Sequence, residues 1–320
     1  MIPVIGILLI LLVNLIYLPA IWYGVVSDDA TALKINPYNV KRRKTYCIIL
    51  HTLVSIYIYI AFGMTQISLI AAILFSIHPL TIQVSCWGAR SYGLNALLFL
   101  TILSFPLLTP LYFLTEMGIA TTLFTPLIFI FTKHWYISLI FPVLLWFSLK
   151  GIQVNVKGKI KGDGIFTMPL PEDFTLHKFK MINIVIIVKT FGYYSLACLL
   201  PIKNGFYNSF LTTLGSSKKA TDYWYSLNQH FWGGMFAIVL MAIVWWFNKG
   251  NFIGLGVMLF VTSIIPFLNI VTVQQFTAPR YAYLPLVGFQ IALVSILYKL
   301  GLSGQLVMSG LFVFYFDRTI

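Results

Sequence analysis

Acidic side chains are so scarce in this chain, eight among 320 residues against 21 Lys and Arg, that each one stands out as a candidate for chemistry. Asp28 and Asp29 are adjacent and follow an apolar run directly, in Trp22-Tyr23-Gly24-Val25-Val26-Ser27-Asp28-Asp29. A carboxylate at a membrane surface can take the proton of a hydroxyl as a general base, or can hold a divalent cation. The plainer alternative is that Ser27 or Asp28 caps a short helix, and spacing alone favours the cap. Glu116 sits within Tyr112-Phe113-Leu114-Thr115-Glu116-Met117-Gly118. An acidic side chain at the centre of a bilayer costs roughly 2.5–3.5 kcal/mol on insertion scales, so Glu116 either faces a polar cavity or partner, or reaches the interface from a helix end.

Arg280 lies in Thr277-Ala278-Pro279-Arg280-Tyr281-Ala282-Tyr283-Leu284-Pro285, a proline-bounded, aromatic-rich entry to an apolar stretch. A guanidinium can hold a phosphate through two parallel hydrogen bonds. An arginine snorkelling in an aromatic belt has the same appearance, and the residue types alone favour that reading. The five histidines do not cluster at metal-ligand spacing. His51 reads as a packed, hydrogen-bonded core residue, and His78, before Pro79, either caps a helix end or lines a site. His134, His177 and His230 read as loop residues. Cys47, Cys86 and Cys198 are few and scattered, which excludes a disulfide frame. Phosphate-binding glycine loops, paired CxxC motifs and a Ser-His-Asp order are absent from the sequence.

The elements that must position these residues are membrane helices. With 59% hydrophobic and only 9% charged residues, the chain could not cover a water-facing surface, which carries roughly 25% charge in soluble domains. The net charge of +13 would suggest nucleic acid in a soluble protein. Here the cations lie in connections between apolar runs, where lipid phosphates are the partners. A bilayer core takes about 20 apolar residues per helix. Such segments fall at 3–26, 46–63, 66–84, 92–114, 116–132, 135–149, 181–201, 231–248, 252–273, 283–300 and 303–316, the first read as a retained helix. The expectation is an all-α polytopic membrane protein of about 10–11 helices, forming a single transmembrane domain over 1–320. A first loop at 27–45 carries the acidic pair and the basic run Lys41–Lys44. A basic polar loop at 150–180, with six lysines, is expected to have no core of its own. The positive-inside rule gives a mixed answer: the first loop, taken alone, would be placed in the cytoplasm, and orientation has to come from elsewhere.

Several of these pieces share an order along the chain. A first helix leads to an acidic pair at Asp28 and Asp29. A helix ends in His78-Pro79, with Trp87 and Arg90 downstream. Thr115-Glu116 comes before Pro126, and Tyr193-Tyr194 runs into Leu199-Leu200-Pro201. The most specific piece is Arg280-Tyr281-Ala282-Tyr283-Leu284-Pro285-Leu286-Val287-Gly288-Phe289. In this order over residues 1–290 the chain resembles membrane glycosyltransferases of the C-type fold (GT-C), and among them the transmembrane-and-TPR O-mannosyltransferases, whose motif is close to RYLYLPSVGF. It departs from them at Gln83, where relatives carry Glu, at Tyr92, where they carry an acidic residue, and at Thr115, where they carry Lys. No TPR array follows.

The resemblance implies a GT-C-like bundle that transfers a mannose-like sugar from a polyprenyl- or dolichyl-phosphate donor to a hydroxyl on a protein or glycan. Asp29 or Asp28 would be the base, with a divalent cation held there if one is used. Arg280, with Arg42 and Arg43, would hold the donor phosphate, and Glu116, His78, Arg90 and Tyr281 would line the site. The N-terminus would be cytoplasmic and the first loop extracytoplasmic, in a prokaryotic inner membrane or the endoplasmic reticulum. A basic loop on that side is then explained by its phosphate ligand. The competing reading is a non-catalytic subunit of a larger complex that keeps the transferase fold. A transporter is a third and weaker option.

Overall fold

The computed structural model describes residues 2–22, 37–86, 92–105, 181–201, 227–268 and 279–319. All regular structure among them is helical. The chain is an α-helical membrane protein: Pro3–Ile21, Val40–Ala61, Gln229–Phe247 and Pro279–Lys299 are each long and apolar enough to cross a bilayer. A bent pair, Gln66–Ser76 with Pro79–Cys86, makes a fifth if it is one span. In chain order the α-helices are α1 (Ile2–Asn14), α2 (Pro37–Ala61), α3 (Gln66–Ser76), α4 (Ile82–Cys86), α5 (Tyr92–Ser104), α6 (Met181–Leu199), α7 (Gln229–Phe247), α8 (Phe252–Ile264), α9 (Tyr283–Lys299) and α10 (Leu302–Thr319). Tight 3-10 turns extend α1 over Leu15–Ile21 and lead into α4 and α9 over Pro79–Thr81 and Pro279–Ala282. The segments expected at 116–132 and 135–149, and the loop at 150–180, lie outside the described residues.

One difference from the sequence reading bears on a candidate site. The basic run Lys41–Lys44, assigned there to the first loop, belongs to the opening turns of α2, which starts at Pro37. Proline is suited to that position, because its fixed φ matches the helix and its missing N–H has no intrahelical partner there anyway.

Short turns order the bundle. The turn from α2 to α3 uses Gly63 at φ +84°, and Thr65 opens α3 with a reciprocal cap on Ser68. Asn251 caps α8 through the backbone N–H groups of Ile253 and Gly254. In lipid no hydrophobic force draws helices together, so close backbone approach must do it. Two helix pairs show this. A β-carbon on Gly192 of α6 would lie 2.6 Å from the Gly234 Cα of α7, and one on Gly288 of α9 would lie 2.5 Å from the Gly256 carbonyl oxygen of α8.

The central feature is the break after α3. Proline at 79 disfavours helical geometry in the preceding residue, and His78 is extended at φ −72°, ψ 129°. The two halves meet at 57°. Breaking the ladder frees carbonyls that hydrocarbon cannot satisfy, and each finds a partner. The Ser76 carbonyl, which a continuous helix would pair with Leu80 N–H, accepts from Tyr17 Oη at 2.6 Å and from His51 Nε2 at 3.1 Å. The Ile77 carbonyl accepts from Thr319 Oγ1 of α10. The His78 carbonyl accepts from Thr81 backbone N–H at 2.8 Å. Tyr283 Oη lies 2.7 Å from His51 Nδ1, so α1, α2, α9 and α10 all converge on this one turn. His51 is fully buried and hydrogen-bonded at both nitrogens, in accord with its reading as a core residue.

Candidate functional site

Arg280 is the one charged sequence candidate that the described structure encloses; its side chain is only 4% exposed. Its position follows from the local sequence. Pro279 starts a 3-10 turn into α9, and the first N–H groups of any helix lack intrahelical acceptors. The Arg280 backbone N–H donates instead to Gln83 Oε1 at 3.0 Å. The side-chain Nε donates to Tyr92 Oη at 2.8 Å. The guanidinium carbon is 5.0 Å from the centre of the Tyr281 ring and 5.9 Å from that of Tyr92. Tyr281 in turn stacks on Phe267 at 4.7 Å with 8° between the rings. Among the described residues, Gln83 Oε1 and Tyr92 Oη accept hydrogen bonds from Arg280, and the rings of Tyr281 and Tyr92 lie beside it. A guanidinium at such a place presents fixed donors and a positive charge, which is the chemistry that recognises a phosphate.

The break after α3 delivers Gln83 to this place. His78 Nδ1 accepts from Leu80 N–H at 3.2 Å, and His78 Nε2 donates to the Cys198 carbonyl of α6 at 3.0 Å. The carbonyl can only accept, so Nε2 carries the proton and Nδ1 is the bare nitrogen. Edge-on contact with Tyr315 at 4.4 Å fixes the ring further. His78 is thus fully buried, with both nitrogens holding the turn that leads into α4.

The other candidates are placed as follows. Tyr281 lies beside the guanidinium. Arg42 and Arg43 are exposed at the start of α2, whereas Lys44 of the same run is buried. Asp28, Asp29, Glu116 and Arg90 lie outside the described residues. His230 is in the first turn of α7, capped by Asn228, instead of in a loop. Among the described residues no three His, Cys, Asp or Glu side chains group to hold a metal.

Sequence reasoning singled out Gln83 and Tyr92 only as departures from a family pattern, not as partners of Arg280. They lie 197 and 188 positions from it, too far for any local signal. What flagged them was that the resembled family carries acidic residues at both places. A separate apolar groove of about 600 Å³, lined by Gln66, Ile70, Tyr298, Met308 and Phe312 among others, includes none of the candidates. No known protein family, curated protein or solved structure matches this chain.

Proposed function

We propose that this chain is a membrane glycosyltransferase of the GT-C type, moving a mannose-like sugar from a polyprenyl- or dolichyl-phosphate to a hydroxyl on a protein or glycan at the extracytoplasmic face. The observation that carries the proposal is the setting of Arg280: a buried arginine, its Nε bonded to Tyr92 Oη, at the head of a helix that can span the bilayer. A lipid-linked donor arrives sideways within the membrane, so its phosphate meets the protein where such a helix begins.

In the reaction, the acceptor oxygen attacks the anomeric carbon while the bond from that carbon to the phosphate oxygen breaks. The lipid phosphate leaves with the electron pair, and the acceptor proton passes to the carboxylate of Asp29 or Asp28. Negative charge grows on the leaving phosphate, and Arg280 stabilises it where it develops. Arg42 and Arg43 add to the attraction for anionic lipid. The N-terminus is cytoplasmic in this reading, and Arg280 faces the other side.

One observation favours a second reading, a lipid-binding subunit without catalysis. Neutral Gln83 and Tyr92 stand on Arg280 where the related enzymes carry acids, so the site keeps a phosphate ligand while losing acid–base groups. Incubating the purified protein with radiolabelled prenyl-phosphate sugars and an acceptor separates the two. The transferase releases prenyl phosphate and labels the acceptor. A protein that binds the lipid and never releases sugar belongs to the second reading.

A further inference from the structure

We infer that the groove between α3 and α10 is a binding site for one anionic diacyl phospholipid, in the leaflet opposite Arg280. An acyl chain lies in the groove, the glycerol esters meet Gln66 and Gln305 at its mouth, and the headgroup lies by Lys299 and Lys249. This site does not depend on the reading of Arg280.

The direction of the helices sets its shape. Tyr298, in the last turn of α9, donates to Gln66 Oε1 at 2.9 Å, so α3 starts where α9 ends. The turn at Gly301 starts α10 at the same place. α3 and α10 therefore run parallel from one end, and they meet again where Thr319 Oγ1 of α10 donates to the Ile77 carbonyl after α3. Their facing sides leave a groove of about 600 Å³, within the roughly 300–1,000 Å³ of small-ligand sites. Gln66 and Gln305 line its start, and Leu74 and Val313 its far end. Eight positions separate the two on each helix, a rise of about 12 Å. That covers most of one leaflet's hydrocarbon, half of a core about 30 Å thick. A partner helix would need a contact running through both leaflets, whereas a lipid chain needs only one.

The mouth is polar and basic. Gln66 Oε1 is taken by Tyr298, which leaves the Nε2 donors of Gln66 without a partner among the described residues. The Gln305 side chain makes no hydrogen bond to any described residue, and Ser309 Oγ, one turn deeper, is turned back onto the Gln305 carbonyl at 3.0 Å. Amide donors beside hydrocarbon must find an acceptor. Ester carbonyls and phosphate oxygens are the acceptors that a phospholipid brings to that depth. Lys299 follows Tyr298 directly, and its Nζ is 3.5 Å from Asn248 Oδ1, a neutral and distant partner. Lys249 lies over the Trp246 ring at 3.4 Å. Asp317, the one acid among the described residues, is near the far end of α10. The described side chains at the mouth are therefore cationic without a balancing carboxylate, which selects an anionic headgroup.

The test places the full chain in phosphatidylcholine nanodiscs that carry a minor fraction of phosphatidylglycerol with a photoactivatable acyl chain. Adducts are mapped by mass spectrometry, and the measurement is repeated with photoactivatable phosphatidylcholine. Phosphatidylglycerol adducts should concentrate on α3 and α10 along the groove, above the level on the exposed side of α7. Ser309→Phe fills the groove and should cut these adducts about tenfold, whereas Leu306→Phe, exposed on α10 outside the groove, should leave them unchanged. Gln305→Leu should lower them several-fold. Lys249→Gln with Lys299→Gln should reduce the preference for phosphatidylglycerol over phosphatidylcholine by about fivefold for each charge removed. Adducts spread evenly over α7 and the groove would mean ordinary solvation by the bilayer and would overturn the site. Equal labelling of the groove by both lipids would overturn the anionic headgroup. A dimer in native mass spectrometry that Ser309→Phe abolishes would give the groove to a second copy of the chain instead. If Ser309→Phe melts early, Gln305→Leu and the lysine pair decide, and wild-type labelling in both sinks the proposal.

Discussion

At the scale of single residues, the proposed chemistry divides between two kinds of group, and they should respond differently to substitution. A general base must be an ionised carboxylate, whereas a capping aspartate is replaced by asparagine at little cost. Asp28→Asn and Asp29→Asn should therefore differ. One, expected to be Asp29, should abolish sugar transfer with donor binding intact, and the other should lower it in part. Near-normal transfer by both variants would reduce the acidic pair to a cap. Arg280→Lys probes the other group. Lysine keeps the charge, but it has no Nε–H for Tyr92 and no planar fork, so donor binding should fall by about tenfold or more in a titration against polyprenyl phosphate. The sequence made Arg280 visible because its proline-bounded aromatic motif is specific. It could not reveal the partners, because a hydrogen bond between Arg280 and Gln83 is decided by how α4 and α9 pack, and residue spacing holds no record of that.

At the scale of elements, the broken α3–α4 span is what turns a membrane helix into a support for a site. The freed carbonyls of Ser76 and Ile77 are satisfied from elsewhere, and the partners are spread through the chain: Tyr17, His51, Thr319. The proline was legible as a break. The convergence of five histidine and tyrosine side chains on it was not, since alternation of apolar residues says where a helix lies and nothing about its neighbours. His78 bears the most on this turn, because it caps Leu80 and ties the break to the Cys198 carbonyl. His78→Ala leaves both of these groups buried without that partner, at about 1–3 kcal/mol each. A clear fall in melting temperature in detergent is expected, and an unchanged melting curve would show that the turn stands without its cap. A second comparison on adjacent residues is exposed Gly233→Ala, which meets nothing within 4 Å, beside buried Gly234→Ala, whose β-carbon would collide with the backbone of α6 at Val188. Only the second should loosen the α6–α7 pair and lower the melting temperature.

At the scale of the whole molecule, the packing fixes which turns share a face, although composition could not. Gly256 of α8 meets Gly288 of α9, and Leu259 and Ala292 sit in the matching antiparallel register. The turn before α8 and the turn after α9 are thus at one end of the bundle. Tyr298 donates to Gln66 Oε1 at 2.9 Å, which brings the turn before α3 to the same end. Lys249 lies over Trp246 at 3.4 Å there, with Lys299 close by at the end of α9, as a cation and aromatic rings at a membrane interface should be. Arg280 and the start of α2 fall at the other end. The rule of positive loops failed to orient the sequence because both ends carry cations: Lys249 and Lys299 at one, and Lys41, Arg42, Arg43, Lys44 and Arg280 at the other. Single cysteines can test the arrangement once Cys47, Cys86 and Cys198 have been replaced by serine. In sealed vesicles of known orientation, Met64→Cys, Lys249→Cys and Leu300→Cys should all react with an impermeant thiol reagent from one side, the cytoplasmic side on the proposed reading. Arg42→Cys and Leu227→Cys should react from the other. Labelling of the first three from different sides would break the bundle described above. Labelling of all three from the extracytoplasmic side would leave the bundle intact and put Arg280 on the cytoplasmic face, where an extracytoplasmic transferase has no use for it.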